Sequence, residues 1–320
     1  MTNPKPPTKA AIRKAEMRIE SVAQNGTHEL YLDGLGLVEV PESIRQLKQL
    51  NLLYLADNSI SRLPEWLGEL SDVRILDVSG NELIELPQSI HGLTQLKMLS
   101  LSSNRLTALP NELEPLSSLE SLSLSSNPLR SLPSSMTTLK TLRRIGAIHC
   151  ELRELPNDTG CLAALEKLDL QGNRIERLPL GFTQLTQLTE LSLGNNALTE
   201  LPESMGDLAG LTELWLQNNQ LVEIPNSIGE LSCLTQLSLT GNRITELPES
   251  IGNLAALRSL FLGDNRLRLL PRSLRRLTAL EKLFLHDNPD LKIPESLLGA
   301  RPGSGNPGEV SKILEYCLPE

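Results

Sequence analysis

The amino-acid sequence predicts an α/β solenoid, and three observations lead to that fold class. A 23-residue pattern recurs in phase along most of the chain, and leucine supplies most of its apolar volume. Aromatic residues make up only 2% of the 320 residues, although hydrophobic residues make up 39%. Globular cores rely on aromatic side chains for volume. A long chain that relies on leucine instead is typical of a repeat protein.

Twelve copies of the pattern LxxLxLxxNxLxxLPxxhxxLxx, where h is apolar, follow one another in steps of 23. Residues 234–256, LTQLSLTGNRITELPESIGNLAA, show it well. The copies begin at Thr27, Leu50, Val73, Leu96, Leu119, Leu142, Leu165, Leu188, Leu211, Leu234, Leu257 and Leu280. This pattern matches the leucine-rich-repeat signature. Strands about 4.8 Å apart on one side and bulkier segments on the other predict a curved horseshoe with a parallel concave sheet.

Each part of the repeat has its own predicted conformation. The LxL segment alternates apolar and polar residues, which predicts a short strand with one buried face. A buried asparagine must satisfy its amide, so we expect the ninth position to form a ladder of hydrogen bonds to the turns. That position holds Asn58, Asn81, Asn104, Asn127, Asn173, Asn196, Asn219, Asn242, Asn265 and Asn288. Proline at position fifteen ends the extended run, and the following PxxhxxL segment fits either a short helix or an extended element.

Both ends of the solenoid need a cover, because no single repeat buries its own leucine face. We expect an N-terminal capping helix within residues 1–26, a repeat domain at 27–298, and a linker with a second capping helix at 299–320. The predicted contact positions of the two helices are Ile12, Ala15, Ile19 and Val22 in the first and Ile313, Leu314 and Cys317 in the second.

The net charge and the cysteines limit the classes of partner and the cellular compartments that the sequence fits. The net charge of −9 disfavours nucleic acid, since phosphate neutralisation needs a basic surface. The four cysteines lack metal-ligand or disulfide-framework spacing, which predicts no metal site, no disulfide framework and a reducing compartment. No cofactor is expected. The N-terminal residues lack the apolar core of a secretion signal, and no run of apolar residues is long enough to span a membrane. The expected location is cytoplasmic, with leaderless export as the alternative.

The phrases LPESIGNL and LxLxxNxLxxLP resemble the intracellular 23-residue repeats of Ras-group-related leucine-rich-repeat scaffolds. The opening RIESVAQNGTHELYLDGLGLVEVPESI is more similar to bacterial leucine-rich-repeat arrays, as is the closing ILEYC, after which a Roc-type GTPase or a protease domain often follows. The resemblance covers about residues 27–298. It implies binding of a protein through the concave sheet. GTPase activity is not carried over, because the sequence contains no GxxxxGK[ST] loop.

The outward positions of the strands are the candidate binding surface. Five of the eight aromatic residues of the chain occupy the fifth repeat position, and such residues are common interface hot spots. The predicted concave residues are Tyr31, Leu52, Tyr54, Ile75, Asp77, Met98, Arg144, His149, Asp169, Trp215, Phe261 and Phe284. They suggest two apolar patches, about 34 Å apart between Tyr54 and Trp215 at the spacing of parallel strands. Alternatively, the aromatic residues are repeat consensus, and Tyr31 and Phe284 pack against the caps.

Two repeats depart from the pattern. Repeat six, residues 142–164, has Cys150 at the ladder position, and its Arg144 and His149 are candidates to contact an acidic group. Repeat drift is the alternative interpretation. Repeat eleven, residues 257–279, is rich in arginine and suits an acidic or phosphorylated partner, unless nearby carboxylates pair with it. Trp66, on the convex side, is either a packed flank or a second contact.

The sequence predicts a non-catalytic protein-interaction module, a scaffold or adaptor, with a signalling role and a monomeric state as the default. The four histidines lie far apart in the repeat lattice, so no triad forms. The alternatives are a secreted bacterial effector that binds a host protein, or a recognition subunit that works with a separate GTPase or protease. The fold alone does not choose among them.

Overall fold

The computed structural model describes residues 9–305 and 307–318. The chain forms two compact units, Met1–Leu152 and Arg153–Glu320. In the described part of each unit, every 23-residue repeat contributes one short strand, a turn and a returning helical segment. The predicted solenoid of in-phase repeats is therefore confirmed.

Each strand has three residues, and neighbouring strands within a unit are parallel and shifted by one repeat. Leu53, for example, pairs with Leu76, and both side chains are fully buried. The strands of the first unit are β1 (Glu29–Tyr31), β2 (Leu52–Tyr54), β3 (Ile75–Asp77), β4 (Met98–Ser100), β5 (Ser121–Ser123) and β6 (Arg144–Gly146). Those of the second are β7 (Lys167–Asp169), β8 (Glu190–Ser192), β9 (Glu213–Trp215), β10 (Gln236–Ser238), β11 (Ser259–Phe261) and β12 (Lys282–Phe284).

The returning segment, which the sequence left open between helical and extended, forms a 3-10 helix in repeats one to eleven. A 3-10 helix rises about 2.0 Å per residue, against 1.5 Å in an α-helix, so it covers the return in few residues. These helices span Glu42–Gln46, Glu65–Glu69, Gln88–Gly92, Glu114–Leu116, Ser134–Thr138, Asn157–Cys161, Phe182–Gln184, Met205–Asp207, Asn226–Glu230, Glu249–Asn253 and Arg272–Arg276. One more, Pro289–Leu291, lies in the turn of repeat twelve.

The ladder asparagines connect each turn to the repeat before it. Asn81 donates from Nδ2 to the carbonyl oxygens of Val78 (3.1 Å) and Leu55 (2.9 Å), and its Oδ1 accepts from the backbone N–H of Ile60 (2.9 Å). The Sγ atom of Cys150, which replaces asparagine in repeat six, lies 3.2 Å from the carbonyl oxygen of Leu124 and occupies the equivalent place. The residue before each ladder position has a positive φ, between 52° and 71°. This left-handed turn directs the following side chain inward.

The N-terminal segment forms helix α1 (Lys9–Asn25), while residues 1–8 of the predicted cap lie outside the described residues. The helix buries Ala11, Ala15 and Ile19, which are spaced by four. Ile12 is 44% exposed, so the expectation that it packs inward is wrong. The Nη1 atom of Arg18 donates to the carbonyl oxygen of Tyr31 at 2.6 Å and holds α1 against the first strand.

Two helices follow the last strand, α2 (Glu295–Leu298) and α3 (Val310–Cys317); residues 306 and 319–320 of the predicted cap lie outside the described residues. Helix α3 buries Ile313 and half-buries Leu314 and Cys317. Arg275 of repeat eleven donates to the carbonyl oxygen of Leu318, which secures the end of α3.

Candidate functional site

The exposed sheet face consists of the first and third residues of each strand, which are repeat positions three and five. Successive side chains of a strand point to opposite faces. The middle residue of each strand is buried, so its two neighbours face outward. The predicted partner-binding residues Tyr31, Leu52, Tyr54, Ile75, Asp77, Met98, Arg144, Asp169, Trp215, Phe261 and Phe284 all occupy these positions.

In the first unit the structure brings five of these residues together as the tyrosine patch, Tyr31, Leu52, Tyr54, Ile75 and Met98. The rings of Tyr31 and Tyr54 are stacked, with centroids 4.9 Å apart and an interplanar angle of 6°. Strand register places Leu52 beside Ile75, and Ile75 beside Met98. Tyr31 and Met98 are 47% and 44% exposed, so the patch is open to solvent at both ends.

Carboxylates border the tyrosine patch. The hydroxyl of Tyr31 donates to Oε2 of Glu29 at 2.7 Å, and this hydrogen bond raises the pKa of Tyr31. Asp77 uses its Oδ1 within its own turn, where it accepts from the backbone N–H (2.9 Å) and the hydroxyl (2.7 Å) of Ser79. The tyrosine patch of the first unit therefore lies beside carboxylates that are held in place by hydrogen bonds.

In the second unit three aromatic side chains form the tryptophan patch, Trp215, Phe261 and Phe284. The ring centroids of Trp215 and Phe261 lie 6.1 Å apart at 38°, although one repeat separates their strands. The residue between them is Ser238, which is only 5% exposed, so the two rings lean together over it. Phe261 also stacks on Phe284 at 5.0 Å and 7°.

The indole N–H of Trp215 already has a partner. It donates to Oε2 of Glu213 at 3.1 Å, and Oε1 of the same carboxylate accepts from Nε2 of Gln236 at 3.2 Å. These contacts hold the orientation of the indole. The aromatic surface of Trp215, rather than its polar atom, is what remains available to another molecule.

The outer members of the aromatic stripe differ in exposure. Tyr31 remains 47% exposed beside the N-terminal helix. Phe284 is only 5% exposed, so little of its ring is available for direct contact, contrary to the expectation for a binding residue. We assign Phe284 to the support of Phe261. His286 is 8% exposed, and its Nε2 lies 3.2 Å from the carbonyl oxygen of Gly299.

The remaining candidate residues differ in their hydrogen bonding and their exposure. Asp169 accepts the backbone N–H of Gln171 at 3.2 Å, and burial raises the pKa of its carboxyl group. Arg144 and His149 of repeat six are both exposed. Trp66 is half-buried among the returning segments.

The arginine-rich repeat is partly used within the protein. Arg258 pairs with Glu281 at 3.1 Å, and Arg275 binds the end of α3. Two backbone N–H groups of the same repeat, those of Arg272 and Ser273, donate to the carboxylate of Glu249. Two arginines of this repeat, Arg258 and Arg275, therefore have partners within the protein.

Sequence reasoning missed Leu180, an apolar residue whose side chain is fully open to solvent. It follows the proline of repeat seven, at position sixteen. The other eleven copies have Glu, Gln, Asn, Ser or Arg at that position. The sequence signal for Leu180 is position sixteen, where this repeat alone among the twelve has an apolar residue.

Within residues 9–305 and 307–318, no helix is both long and apolar enough to cross a membrane. Within the same residues, no three His, Cys, Asp or Glu side chains are grouped to hold a metal ion.

The comparisons with known proteins agree with this geometry. Residues 40–151, 133–220 and 214–297 match a family model described as a leucine-rich repeat region. A leucine-rich-repeat protein of Leptospira interrogans is 32% identical over 84% of this chain and 81% of its own, with a TM-score of 0.68. An internalin of Listeria monocytogenes, 21% identical over 87% of this chain and 88% of its own, has the same fold with a TM-score of 0.64.

A plant peptide hormone receptor, RGFR1 in complex with RGF2, is 27% identical with a TM-score of 0.57. The match covers 81% of this chain but 51% of the receptor chain, so this chain corresponds to about half of it. The comparison with curated proteins gave no match. The predicted resemblance to repeat arrays of the bacterial type is confirmed by the Leptospira protein.

Proposed function

The chain belongs to the leucine-rich-repeat family, and on that basis we propose that it is a non-catalytic scaffold or adaptor that binds a protein partner on its exposed sheet face. Proteins of this family typically bind proteins. The observation that carries the proposal is the clustering of five of the eight aromatic residues at one repeat position. Those rings form the core of the tyrosine patch and the whole of the tryptophan patch.

Aromatic residues of this kind suit an interface for a physical reason. Each buries a large area with only two side-chain torsions to fix, and such anchors commonly contribute about 2 kcal/mol or more to binding. Glu29 and Glu213 hold Tyr31 and Trp215 by hydrogen bonds. These side chains have therefore lost part of their conformational entropy in the unbound protein, which lowers the entropic cost of binding. Asp77 and Asp169, the carboxylates of the stripe, are engaged in their own turns, which supports a binding role over a catalytic one.

The test replaces exposed rings with the residue that other repeats use. Ser100, Ser123 and Ser192 occupy the equivalent position, so Tyr54→Ser and the pair Trp215→Ser, Phe261→Ser suit the local structure. Partners are captured from source lysate by purified wild type and by each variant, and identified after cross-linking. We expect at least one variant to lose a partner that wild type holds.

The matched control is Val222→Thr. Val222 is 52% exposed but lies outside the strands, and Thr245 has the equivalent place in the next repeat. This variant is expected to capture the same partner as wild type. Equal capture by wild type and every ring variant would show that the exposed sheet face is not the binding surface.

The setting of the proposed scaffold is cytoplasmic signalling. Similarity to a bacterial repeat protein supports a second candidate, an exported effector that binds a host protein. A third is a recognition subunit that works beside a separate GTPase or protease. A tagged chain found in the culture medium of its source would favour export, whereas co-purification of a GTPase or protease from the cell fraction would favour the subunit role.

A further inference from the structure

A second surface lies away from the exposed sheet face. Residues 153–225 of the second unit line a groove with a volume of about 1000 Å³. Its lining residues occupy repeat positions twelve to seventeen, which follow the ladder asparagine, and none belongs to a strand. The groove spans repeats six to nine and is independent of the binding surface proposed above.

Leu180 is the apolar feature of this groove. Its side chain is fully exposed, while its neighbours Leu155 and Leu201 are only 6% exposed. Single exposed leucines are common on protein surfaces. This one is informative because it lines a groove and replaces the polar residue that the other eleven repeats have there.

The charged lining of the groove is acidic and unpaired. It contains five carboxylates and two guanidinium groups, which gives a net charge of −3. Among the residues that the structure describes, none of these five carboxylates has an ion pair or a side-chain hydrogen bond. They are Glu154, Glu176, Glu200, Glu203 and Glu223. Glu200 and Glu223 occupy the same position of successive repeats, so their like charges repel and a cation between them would relieve the repulsion.

The repeats that line the groove are joined to one another by close contacts. A Cβ atom added at Gly160 would lie 1.9 Å from the carbonyl oxygen of Gly181, so these two returning segments touch through glycine. The hydroxyls of Thr183 and Ser204 are 2.8 Å apart and join the next pair of repeats. These contacts join the successive repeats whose residues line the groove.

We propose that this groove, the Leu180 groove, docks an extended basic segment of a partner protein. The segment places an aliphatic side chain on Leu180 and lysine or arginine side chains on the unpaired carboxylates. At the spacing of neighbouring strands, three steps between repeats span about 15 Å, so an extended peptide needs at least about five residues to cross the groove. Charge complementarity selects a basic partner, and the exposed leucine selects one with an apolar side chain among its charges.

The probe is a set of short fluorescent peptides of three compositions: lysine with leucine, lysine with serine, and glutamate with leucine. Binding to the full chain is followed by fluorescence anisotropy at low and high salt. We expect the lysine–leucine peptides to bind most tightly and to weaken as salt screens the carboxylates. Leu180→Asn should weaken them by about tenfold, because the buried leucine contact is lost.

Matched variants separate the groove from other surfaces. Asparagine is native to the equivalent position of repeats six and nine, at Asn157 and Asn226, so Leu180→Asn suits the fold. Leu269→Asn removes another leucine, 58% exposed and outside the groove, and is expected to leave binding unchanged. Glu200→Gln with Glu223→Gln should weaken lysine–leucine binding and reduce its salt dependence.

The proposal is overturned if lysine–leucine peptides do not bind, or if glutamate–leucine peptides bind as well. It is also overturned if Leu180→Asn and Leu269→Asn weaken binding equally. Loss of peptide binding in the Trp215→Ser, Phe261→Ser variant, with Leu180→Asn unaffected, would move the basic segment to the exposed sheet face and equally reject the groove.

Discussion

The side-chain amide of Asn219 donates to the carbonyl oxygen of Leu193, which lies 26 residues earlier, at 2.9 Å. The same amide donates to Leu216 within its own turn at 3.0 Å, and its Oδ1 accepts from the backbone N–H of Leu198 at 3.0 Å. One side chain thus satisfies three buried backbone groups of two successive repeats. The ladder joins repeats through hydrogen bonds as well as through leucine packing.

Asn219→Ala is expected to lower the free energy of unfolding by about 2–4 kcal/mol, because it leaves buried backbone groups without partners. Urea unfolding followed by circular dichroism measures the change. Asn226→Ala is the control, since Asn226 lies at the start of a 3-10 helix and is exposed. Equal effects of the two substitutions would contradict the role given to the ladder.

Gly229→Ala tests the close approach of the returning segments. An added Cβ would lie 2.3 Å from the carbonyl oxygen of Ser250, so the two backbones must separate. We expect a loss of about 1–3 kcal/mol in unfolding free energy, typical of overpacking. At Gly210 the nearest atom would be 3.6 Å away, so Gly210→Ala should unfold like wild type. Unchanged stability in Gly229→Ala would mean that the returning segments at Gly229 and Ser250 separate at little cost in free energy.

Removal of an exposed ring should affect stability far less than removal of a buried one. Trp215→Ser loses a ring contact with Phe261 that is worth about 0.5–1.5 kcal/mol. Phe182 is fully buried, and Phe182→Ala should lose about 3–5 kcal/mol. Urea unfolding of the purified variants measures both losses. A loss in Trp215→Ser as large as in Phe182→Ala would show that the tryptophan patch is core rather than surface.

The carboxyl group of Glu69 should titrate far below the usual range for glutamate. Hydrogen bonds from Arg45 (3.0 Å) and Lys48 (2.8 Å) lower its pKa from 4.5 to about 2. Because the pKa is lowered on folding, the stabilisation by Glu69 is present above pH 4.5 and is lost as the pH falls towards 2.

A carbon-detected NMR titration of Glu69 measures this directly. The midpoint should lie at about 2 in wild type, and Arg45→Met with Lys48→Met should return it towards the usual range. A wild-type midpoint in that usual range would mean that the two cations do not hold the carboxylate in solution.

The cysteines should differ in reactivity towards a thiol reagent. Cys233 is exposed, whereas Cys150 is fully buried and burial raises the pKa of its thiol. Maleimide labelling followed by peptide mass spectrometry should modify Cys233 in the native protein and Cys150 only after denaturant is added. Rapid native labelling of Cys150 would show that repeat six opens in solution. Cys150→Asn, which restores the ladder residue, should then slow the exposure of that repeat to proteases.

The repeat architecture was predictable because its signal is periodic and local. Leucine at fixed positions requires a buried face, asparagine at the ninth position requires backbone partners, and both requirements recur in phase. The tyrosine patch followed from the same periodicity, since strand alternation alone places Tyr54 and Ile75 on the outward face. For these residues, position in the repeat determines the environment.

The sequence by itself thus determined the period, the strands, the ladder and the outward stripe. Tertiary packing decided the rest. Glycine contacts such as Gly229 with Ser250 allow the returning segments to lie close together as 3-10 helices, and α1 buries Ala11 rather than Ile12. Phe284 is buried at the end of the array, whereas Leu180 is exposed beside a groove. Burial of these residues depends on which segments meet in space, and repeat position alone carries no information about those contacts.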